Sequence, residues 1–464
     1  MKKRILAALI AAASVLSLAG CNNDSTSKDS GAGDSGAGNS GAGTTSTPAP
    51  GPAPEIADDG DTLTILAWSG NTDVRNMVKL FCREKGVDES KIKIADCGAQ
   101  GGDANTGYKT YLQGNDDADI MCLEADWILG YINDDKLTAP LESIGITESS
   151  FANPYPYTVA IGKNENGVLK GASFQAAPGG FVYRADLAKQ YLGVETPEQM
   201  QEKVKDWDAF AATAAELRNK GNIALTATED GMWQVYQANR TKPWVVDDTL
   251  VMDNAEQFYD IAKSFADNKY MTTDAAWSNT WYSQVKDGNA LGEFLSTWGM
   301  TDSDGGQLKN FAGGEGDAAN MAFCAGPQEY FWGGTWLGVS TKCDNKTLAK
   351  DFIEFFTCND ETMRKYTDTT GDYCNNSKVM KAIVDEGNHR NKYLVGGQSQ
   401  FNYFLEKAGN IKMDGLITKY DATIKSKFND SVKKYATGEY KTKDEAIAAF
   451  KKEVQKAYVD LKVE

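Results

Sequence analysis

Carboxylates and a tryptophan stand directly after one of the most apolar segments of the chain. Residues 118–123 read Ala-Asp-Ile-Met-Cys-Leu, and Glu124, Asp126 and Trp127 follow within four positions. A flat aromatic ring packs against the C–H face of a pyranose, while carboxylates hold its hydroxyl groups. This combination of residue types predicts a binding site for a hydroxyl-rich small molecule.

Aromatic residues are numerous in the rest of the chain as well. The 464 residues include 10 tryptophans and 20 tyrosines, and several tryptophans stand in expected loops. Candidate aromatic platforms are Trp68, Trp127, Trp233, Trp277, Trp281, Trp298, Trp332 and Trp336. Candidate hydroxyl partners are Asn71, Glu124, Asp126 and Asp372. For any single tryptophan the alternative is a place in the core, and for Asp126 it is capping of a helix that begins near Trp127.

Few kinds of catalytic chemistry fit the composition. The chain has one histidine, His389, so a Ser-His-Asp set would depend on it. No phosphate-binding Gly-x-x-x-x-Gly-Lys-Ser/Thr pattern occurs, and no pair of cysteines has the Cys-x-x-Cys spacing of a zinc site. We therefore expect no metal, no cofactor and no enzyme activity. A surface glycoside hydrolase stays as an alternative, because it needs only two suitably spaced carboxylates.

The charge of the chain limits its partners. With 48 basic and 65 acidic residues the formal net charge is −17. So acidic a surface argues against binding of nucleic acid and against attraction to anionic lipids.

The N-terminus has the order of a secretory signal. Lys2, Lys3 and Arg4 precede a short apolar run, which ends in Leu-Ala-Gly before Cys21. This ending resembles the bacterial lipobox, in which the cysteine receives lipid and becomes the new N-terminus. We predict a signal peptide over 1–20, lipidation at Cys21 and a Gly/Ser/Pro-rich disordered linker over 21–59, which would place the protein on the outer face of the bacterial cytoplasmic membrane. Seven cysteines then remain, and we expect them to be free and buried.

The rest of the chain alternates expected strands and helices, which indicates an α/β fold with a mostly parallel sheet. Strands are expected over 62–68, 92–94 and 118–123, and helices over 73–84, 207–220, 255–268 and 418–463, the last divided at 437–438. In open α/β sheets, ligands gather at the carboxyl ends of the strands. That rule selects the segments 69–71 and 124–127.

Four segments carry a resemblance to a known family. They are 118–127 with 137–141, 177–187, 333–340 with 345–353, and 370–373. In order and spacing they resemble the sugar-binding proteins of ABC importers, of the maltose-binding-protein-like family 1, from about residue 62 to the C-terminus.

The resemblance implies a two-lobed periplasmic-binding-protein-like (type II) fold with hinge crossovers. Lobe 1 would comprise 62–176 plus 335–372, and lobe 2 would comprise 177–334 plus 373–464. The lobes would close on a ligand in the cleft between them, and a membrane permease would recognise the closed form. Glycines that would serve as hinges are Gly179, Gly180, Gly333 and Gly334.

The resemblance also ranks the ligand-binding candidates. The set that it supports, together with the residue chemistry, is Trp127, Asp126, Trp336, Trp298, Glu124, Asn71, Trp68, Trp233, Asp372 and Tyr373. The candidate binding segments 69–71 and 124–127 hold two carboxylates and no arginine, which favours a neutral sugar, and the many aromatics favour an oligosaccharide. A peptide, a polyamine or an organic anion on the same fold is the alternative. A monomer, tethered to the membrane by lipid alone, is expected.

Overall fold

The structure is a computed structural model. The ranges that it describes are 55–68, 70–98, 104–114, 117–303, 305–413 and 415–463. The expected signal peptide, Cys21 and the linker as far as residue 54 lie outside these ranges. In the described part of the chain, no helix has the length and apolar character that crossing a membrane requires.

Twelve strands occur in the described ranges, in two larger sheets and one hairpin. The strands are β1 (Leu63–Ala67), β2 (Ile92–Asp96), β3 (Ile120–Glu124), β4 (Thr138–Ala139), β5 (Gly171–Ser173), β6 (Gly179–Arg184), β7 (Ala224–Thr226), β8 (Val245–Val246), β9 (Thr249–Leu250), β10 (Ala290–Ser296), β11 (Met321–Cys324) and β12 (Thr335–Ser340).

Helices surround the sheets and dominate the second half of the chain. They are α1 (Thr72–Lys85), α2 (Ala104–Gly114), α3 (Leu129–Ile132), α4 (Pro156–Ile161), α5 (Ala185–Leu187), α6 (Pro197–Lys203), α7 (Trp207–Gly221), α8 (Glu229–Tyr236), α9 (Ala255–Asp267), α10 (Asn279–Lys286), α11 (Thr297–Met300), α12 (Leu308–Phe311), α13 (Lys346–Thr357), α14 (Asp360–Thr370), α15 (Ser377–Glu386), α16 (Phe401–Ala408), α17 (Asp421–Ala436) and α18 (Lys443–Ala457).

The first sheet has six strands in the order β2-β1-β3-β12-β4, and β5 also pairs with β12. Strands β1, β2 and β3 are parallel, whereas β12 runs antiparallel to β3, β4 and β5. The second sheet has the order β11-β6-β10-β7, and only its β7–β10 pair is parallel. The prediction of a mostly parallel sheet was therefore wrong. Strands such as β6 and β12 enter their sheets by crossing from the other one, so no βαβ connection forces them to be parallel.

Two crossover segments between the sheets lie side by side, and a third segment pairs with one of them. Residue 178 pairs with residue 331 in an antiparallel bridge, and residue 175 pairs with residue 374 in another. The Trp332 backbone N–H also donates to the Ala177 carbonyl at 3.1 Å. Strands from 62–176 and 335–372 build the first sheet, and strands from 177–334 build the second.

The described residues form two apolar cores, and the first includes residues of both sheets. In the first core, Phe81 of α1 packs against Phe352 and Phe355 of α13, with ring centroids 5.2 and 5.5 Å apart. In the second core, Trp233 of α8 packs against Phe428 of α17, at 4.4 Å. Of the described cysteines, Cys82, Cys122, Cys324, Cys343, Cys358 and Cys374 are free; Cys358 is partly exposed, and the others are buried, as is Cys97. The cavity described next lies beside the crossover that leads from β11 to β12.

Candidate functional site

A cavity of about 380 Å³ lies beside the crossover that leads from β11 to β12. This volume falls within the range of small-molecule sites, about 300–1,000 Å³. Its walls are built by Asp126, Gln234, Gln237, Ala238, Asn239, Arg240, Gln328, Glu329, Phe331, Trp332, Gly333, Asn410, Ile411, Lys412, Met413, Leu416, Ile417, Asp421 and Lys425. Most of these side chains are polar, and the aromatic ring of Trp332 forms part of the wall.

At one place in the cavity wall, Asp126 and Lys425 form a close ion pair. The Lys425 Nζ lies 2.8 and 3.1 Å from the two carboxylate oxygens of Asp126, and it also donates to Gln234 Oε1 at 2.9 Å. Asp126 follows β3 of the first sheet, whereas Lys425 lies on α17, which packs in the second core. Burial acts to lower the pKa of Lys425, but the acidic groups around it, Asp126 first among them, together outweigh burial, so the pKa is raised overall and the side chain is charged. The pair thus joins the two halves of the fold across the cavity.

Glu124 stands beside this pair. Its Oε2 accepts a hydrogen bond from the Asp126 backbone N–H at 2.8 Å. Burial raises the pKa of Glu124 to about 8, and the neighbouring Asp126 carboxylate acts in the same direction. At neutral pH the Glu124 carboxyl is therefore largely protonated.

Three tryptophans cluster at the edge of the cavity. The ring centroids of Trp277, Trp298 and Trp332 lie 5.5–5.7 Å from one another, and Trp277 and Trp298 are nearly parallel, at 29°. Trp298 Nε1 donates to the Trp332 carbonyl at 2.8 Å. Trp277 is 44% exposed and has a φ of 69°, a backbone conformation that is strained for so bulky a residue. We call these three residues the tryptophan cluster.

The crossover glycines are of two kinds. Gly333 and Gly334 have φ values of 71° and 99°, which side chains rarely adopt, and a Cβ at position 333 would lie 3.0 Å from Trp298 Nε1. Gly179 and Gly180 lie inside β6, and a Cβ there would lie 2.3 Å from the Tyr330 ring and 2.4 Å from the Phe323 ring. Close packing, and not backbone freedom, explains the glycines of the second kind.

Of the residues predicted to bind ligand, Asp126 lines the cavity, and Glu124 and Trp298 stand next to residues that line it. Trp127 packs in the first core against Tyr108 and Tyr131, at 4.9 and 5.3 Å, and meets Trp68 edge-on at 6.4 Å. The cavity wall includes none of Glu124, Trp298, Trp127 and Trp68. Asn71 is buried and caps α1, since its Oδ1 accepts from the Val74 backbone N–H at 3.0 Å.

The other predicted residues have structural places, and this corrects the expectation that they offer a face to a ligand. Trp336 is 1% exposed, and its Nε1 donates to the Thr158 carbonyl at 2.8 Å. Trp233 is wholly buried in the second core, and Tyr373 is wholly buried in the first. Asp372 is also buried, and its Oδ2 accepts from Gln175 Nε2 at 2.6 Å. A strand end or a turn in the sequence does not reveal such burial.

Several residues of the cavity carried no signal in the sequence. Lys425 lies on a helix whose sequence pattern indicates only a buried face, and Gln234, Arg240 and Gln328 stand in no motif. They reach the cavity because the chain folds distant segments together: Lys425 and Asp126 are 299 positions apart. Among the described residues, no group of histidine, cysteine and acidic side chains has the arrangement of a metal site.

Comparison with known proteins places this fold among binding proteins. The family model described as "Bacterial extracellular solute-binding protein" matches residues 84–387, well over half of the chain. No curated protein sequence matches the chain.

Solved structures share the fold at low sequence identity. An extracellular solute-binding protein of family 1 is 17% identical, with a TM-score of 0.71 over 86% of this chain and 100% of that one. The ABC-transporter-associated binding protein from B. animalis subsp. lactis Bl-04, in complex with β-1,6-galactobiose, is 18% identical, with a TM-score of 0.67 over 86% and 97%. The galacto-N-biose-/lacto-N-biose I-binding protein of Bifidobacterium longum is 16% identical, with a TM-score of 0.62 over 88% and 100%.

These likenesses confirm the predicted α/β fold of the two-lobed, solute-binding type. The matched family consists of binding proteins that work outside the cytoplasm. This chain belongs to the bacterial extracellular solute-binding proteins.

Proposed function

We propose that this protein is a lipid-anchored receptor that binds a neutral oligosaccharide in the cavity beside the crossover segments and delivers it to an ABC importer. The observation that carries the proposal is the tryptophan cluster at the edge of a cavity whose wall is mostly polar. Trp332 supplies an aromatic face, and the side chains around it supply donors and acceptors for hydroxyl groups.

The charges of the cavity wall support a neutral ligand. The basic residues of the wall are Arg240, Lys412 and Lys425, and the acidic residues are Asp126, Glu329 and Asp421. Three positive and three negative side chains balance, so neither a polyamine nor an organic anion gains from an excess of opposite charge. The ligands in the complexes of two similar proteins, β-1,6-galactobiose and lacto-N-biose, are neutral sugars, which supports the same assignment.

Anchoring, closure and delivery belong to the same proposal. Lipid on Cys21 would hold the protein at the membrane beside its permease, and the acylated peptide would be detected by mass spectrometry of the membrane fraction. Gly333 and Gly334, with their left-handed backbone, are the proposed hinge positions, and the lobes are those predicted above. The protein acts as a monomer that closes around its ligand.

The proposal is tested by thermal unfolding of the purified protein with a panel of solutes. Neutral probes are maltose, β-1,6-galactobiose and lacto-N-biose; charged probes are a galacturonate disaccharide, spermidine and a short peptide. A ligand at 100 times its dissociation constant stabilises the native state by about 2.7 kcal/mol. We expect a saturable increase in Tm with a neutral glycan that is recovered uncleaved.

Replacement of Trp332 connects this binding to the cavity. Trp332→Ala removes the aromatic face, and we expect it to weaken binding of the glycan about tenfold or more, whereas Trp332→Phe keeps a ring and stays within about threefold of wild type. Stabilisation by charged solutes alone would overturn the assignment of a neutral sugar as the ligand. Cleavage of the glycan would indicate that the protein is a glycoside hydrolase.

A further inference from the structure

Arg240 is held rigidly in the wall of the cavity. It follows α8, and its side chain is only 6% exposed. The centre of its guanidinium lies 4.2 Å from the centroid of the Trp244 ring, a cation–π arrangement. Nη2 donates to the Lys242 carbonyl at 3.0 Å. The group is therefore fixed on two sides before any ligand arrives.

The other two nitrogen atoms of this guanidinium, Nε and Nη1, lack close hydrogen-bond acceptors within the described ranges. Among the described residues, Arg240 Nε has no hydrogen-bond partner. Arg240 Nη1 lies 3.9 Å from Asp421 Oδ2, which is beyond hydrogen-bond length. The other oxygen of Asp421 accepts from the Thr418 backbone N–H and hydroxyl, at 2.8 and 2.6 Å. Asp421 thus balances the charge of Arg240 without satisfying its donors.

The nitrogen without a partner belongs to a residue of the cavity wall. In the described part of the chain, four buried side-chain polar atoms lack a partner, in Asn133, Trp233, Arg240 and Thr297. Of these residues Arg240 alone lines the cavity. A buried donor without an acceptor costs free energy, so such groups are rare and call for an explanation.

Neighbouring polar groups in the wall already have partners. Gln328 Oε1 accepts from Asn239 Nδ2 at 2.8 Å and from Trp207 Nε1 at 2.6 Å, and Gln328 Nε2 donates to the Val235 carbonyl at 2.9 Å. These bonds support the wall around Arg240 and involve none of the nitrogen atoms of its guanidinium.

We propose that Arg240 is a ligand-binding residue that determines specificity: its Nε–H donates to one oxygen atom of the solute bound in the cavity. This inference rests on the proposed function, since it takes the solute to be a neutral sugar whose acceptor is a hydroxyl oxygen. A site that uses a buried donor in this way rejects an analogue that lacks the acceptor, because the donor is then left buried and alone. Selectivity among similar glycans would follow from the position of that one hydroxyl.

The test uses calorimetric titration of the purified protein with the glycan that stabilises it best and with its monodeoxy derivatives. Arg240→Lys keeps the positive charge opposite Asp421 but removes the Nε–H. We expect it to weaken binding of the parent glycan about 10- to 100-fold, as for the loss of a hydrogen bond to a charged group. Arg218→Lys is the matched control, because Arg218 lies on α7 outside the cavity wall, and it should bind as wild type does.

The deoxy derivatives separate contact from structure. One of them should bind wild type as weakly as the parent glycan binds Arg240→Lys, and it should lose nothing further in that variant. Equal losses for every derivative would mean that Arg240 only supports the fold, and an affinity within twofold of wild type would overturn the inference directly. If Arg240→Lys fails to fold, nitrogen-15 NMR of the wild-type arginine side chains replaces this variant. We then expect one Nε–H resonance to shift and to become protected from solvent exchange when the glycan saturates the protein. The absence of such a resonance would overturn the proposal.

The two proposals fail in different ways. Binding of a glycan with no effect at Arg240 leaves the sugar receptor and removes the contact. Binding of a uronic acid or another organic anion, weakened in Arg240→Lys, keeps the donor and overturns the neutral sugar. No binding of any of these solutes would overturn both.

Discussion

Two ion pairs in the wall of the same cavity differ in the distance between their charged groups. Lys425 and Asp126 meet at 2.8 Å, and Gln234 accepts a further bond from the ammonium. Arg240 and Asp421 stand 3.9 Å apart, and the guanidinium keeps a donor without a partner among the described residues. The first pair is complete and joins segments from the two halves of the fold, so its role is structural. The second pair supplies charge balance but leaves a donor for a ligand.

Removal of Lys425 should have the largest effect on stability. Lys425→Ala leaves Asp126 and Gln234 without their partner, and breaking a buried pair costs about 3–5 kcal/mol when both charges are buried. Since Asp126 is 41% exposed and water can replace part of the bond, we expect a loss of about 2 kcal/mol in the free energy of unfolding, measured in urea. Lys433→Ala is the matched control on the same helix.

The control should cost at most about 0.5 kcal/mol, because Lys433 is 40% exposed and lies 3.8 Å from Glu229. Equal losses in the two variants would contradict a structural role for the Asp126–Lys425 pair.

Replacement of Glu124 should have a smaller effect on stability, and this effect should depend on pH. Its pKa is raised from 4.5 to about 8 in the folded protein, so the folded state binds a proton that the unfolded state releases. The stability that this gives is fully present below pH 4.5 and is lost as the pH rises through about 8. Glu124→Gln is permanently neutral, so between pH 6 and pH 8.5 it should lose less stability than wild type.

The comparison is made by urea unfolding at the two pH values. Glu142→Gln is the control, since Glu142 is exposed on the surface and should leave the pH dependence of wild type unchanged. An unchanged slope in Glu124→Gln would mean that Glu124 is ionised in the folded protein.

Replacement of Asp421 should cause the smallest change in stability. Asp421→Asn keeps an oxygen that can accept from Thr418 and loses only the distant attraction to Arg240. We expect less than about 1 kcal/mol in urea unfolding, whereas Asp126→Asn should cost more, because it weakens a direct bond to a buried ammonium. If Asp421→Asn is the more damaging of the two, the contrast between the ion pairs is wrong.

The local pattern of the sequence predicts much of the fold. The expected helices over 207–220 and 255–268 are confirmed as α7 and α9, and the division at 437–438 is confirmed by α17 and α18. Periodicity and capping are local properties, so one sequence suffices to detect them. The direction of β12 is set by a crossover from the second sheet, which no local pattern encodes.

The site is predicted less well, for a physical reason. Residue type identifies Trp336 and Trp298 equally well, but only the packed structure reveals that Trp336 is buried on β12 and that Trp298 stands behind Gly333. The charges of the cavity come from segments far apart in the chain, such as those of Asp126 and Lys425. Their meeting is a property of the tertiary fold, and the sequence carries no pattern for it.

The most direct test of a sugar site in this cavity is a crystal structure of the protein with the neutral glycan that stabilises it best. The account predicts a sugar ring against Trp332 and a sugar oxygen within hydrogen-bond distance of Arg240 Nε. A glycan bound elsewhere, with the cavity beside the crossover segments holding only water, would contradict it.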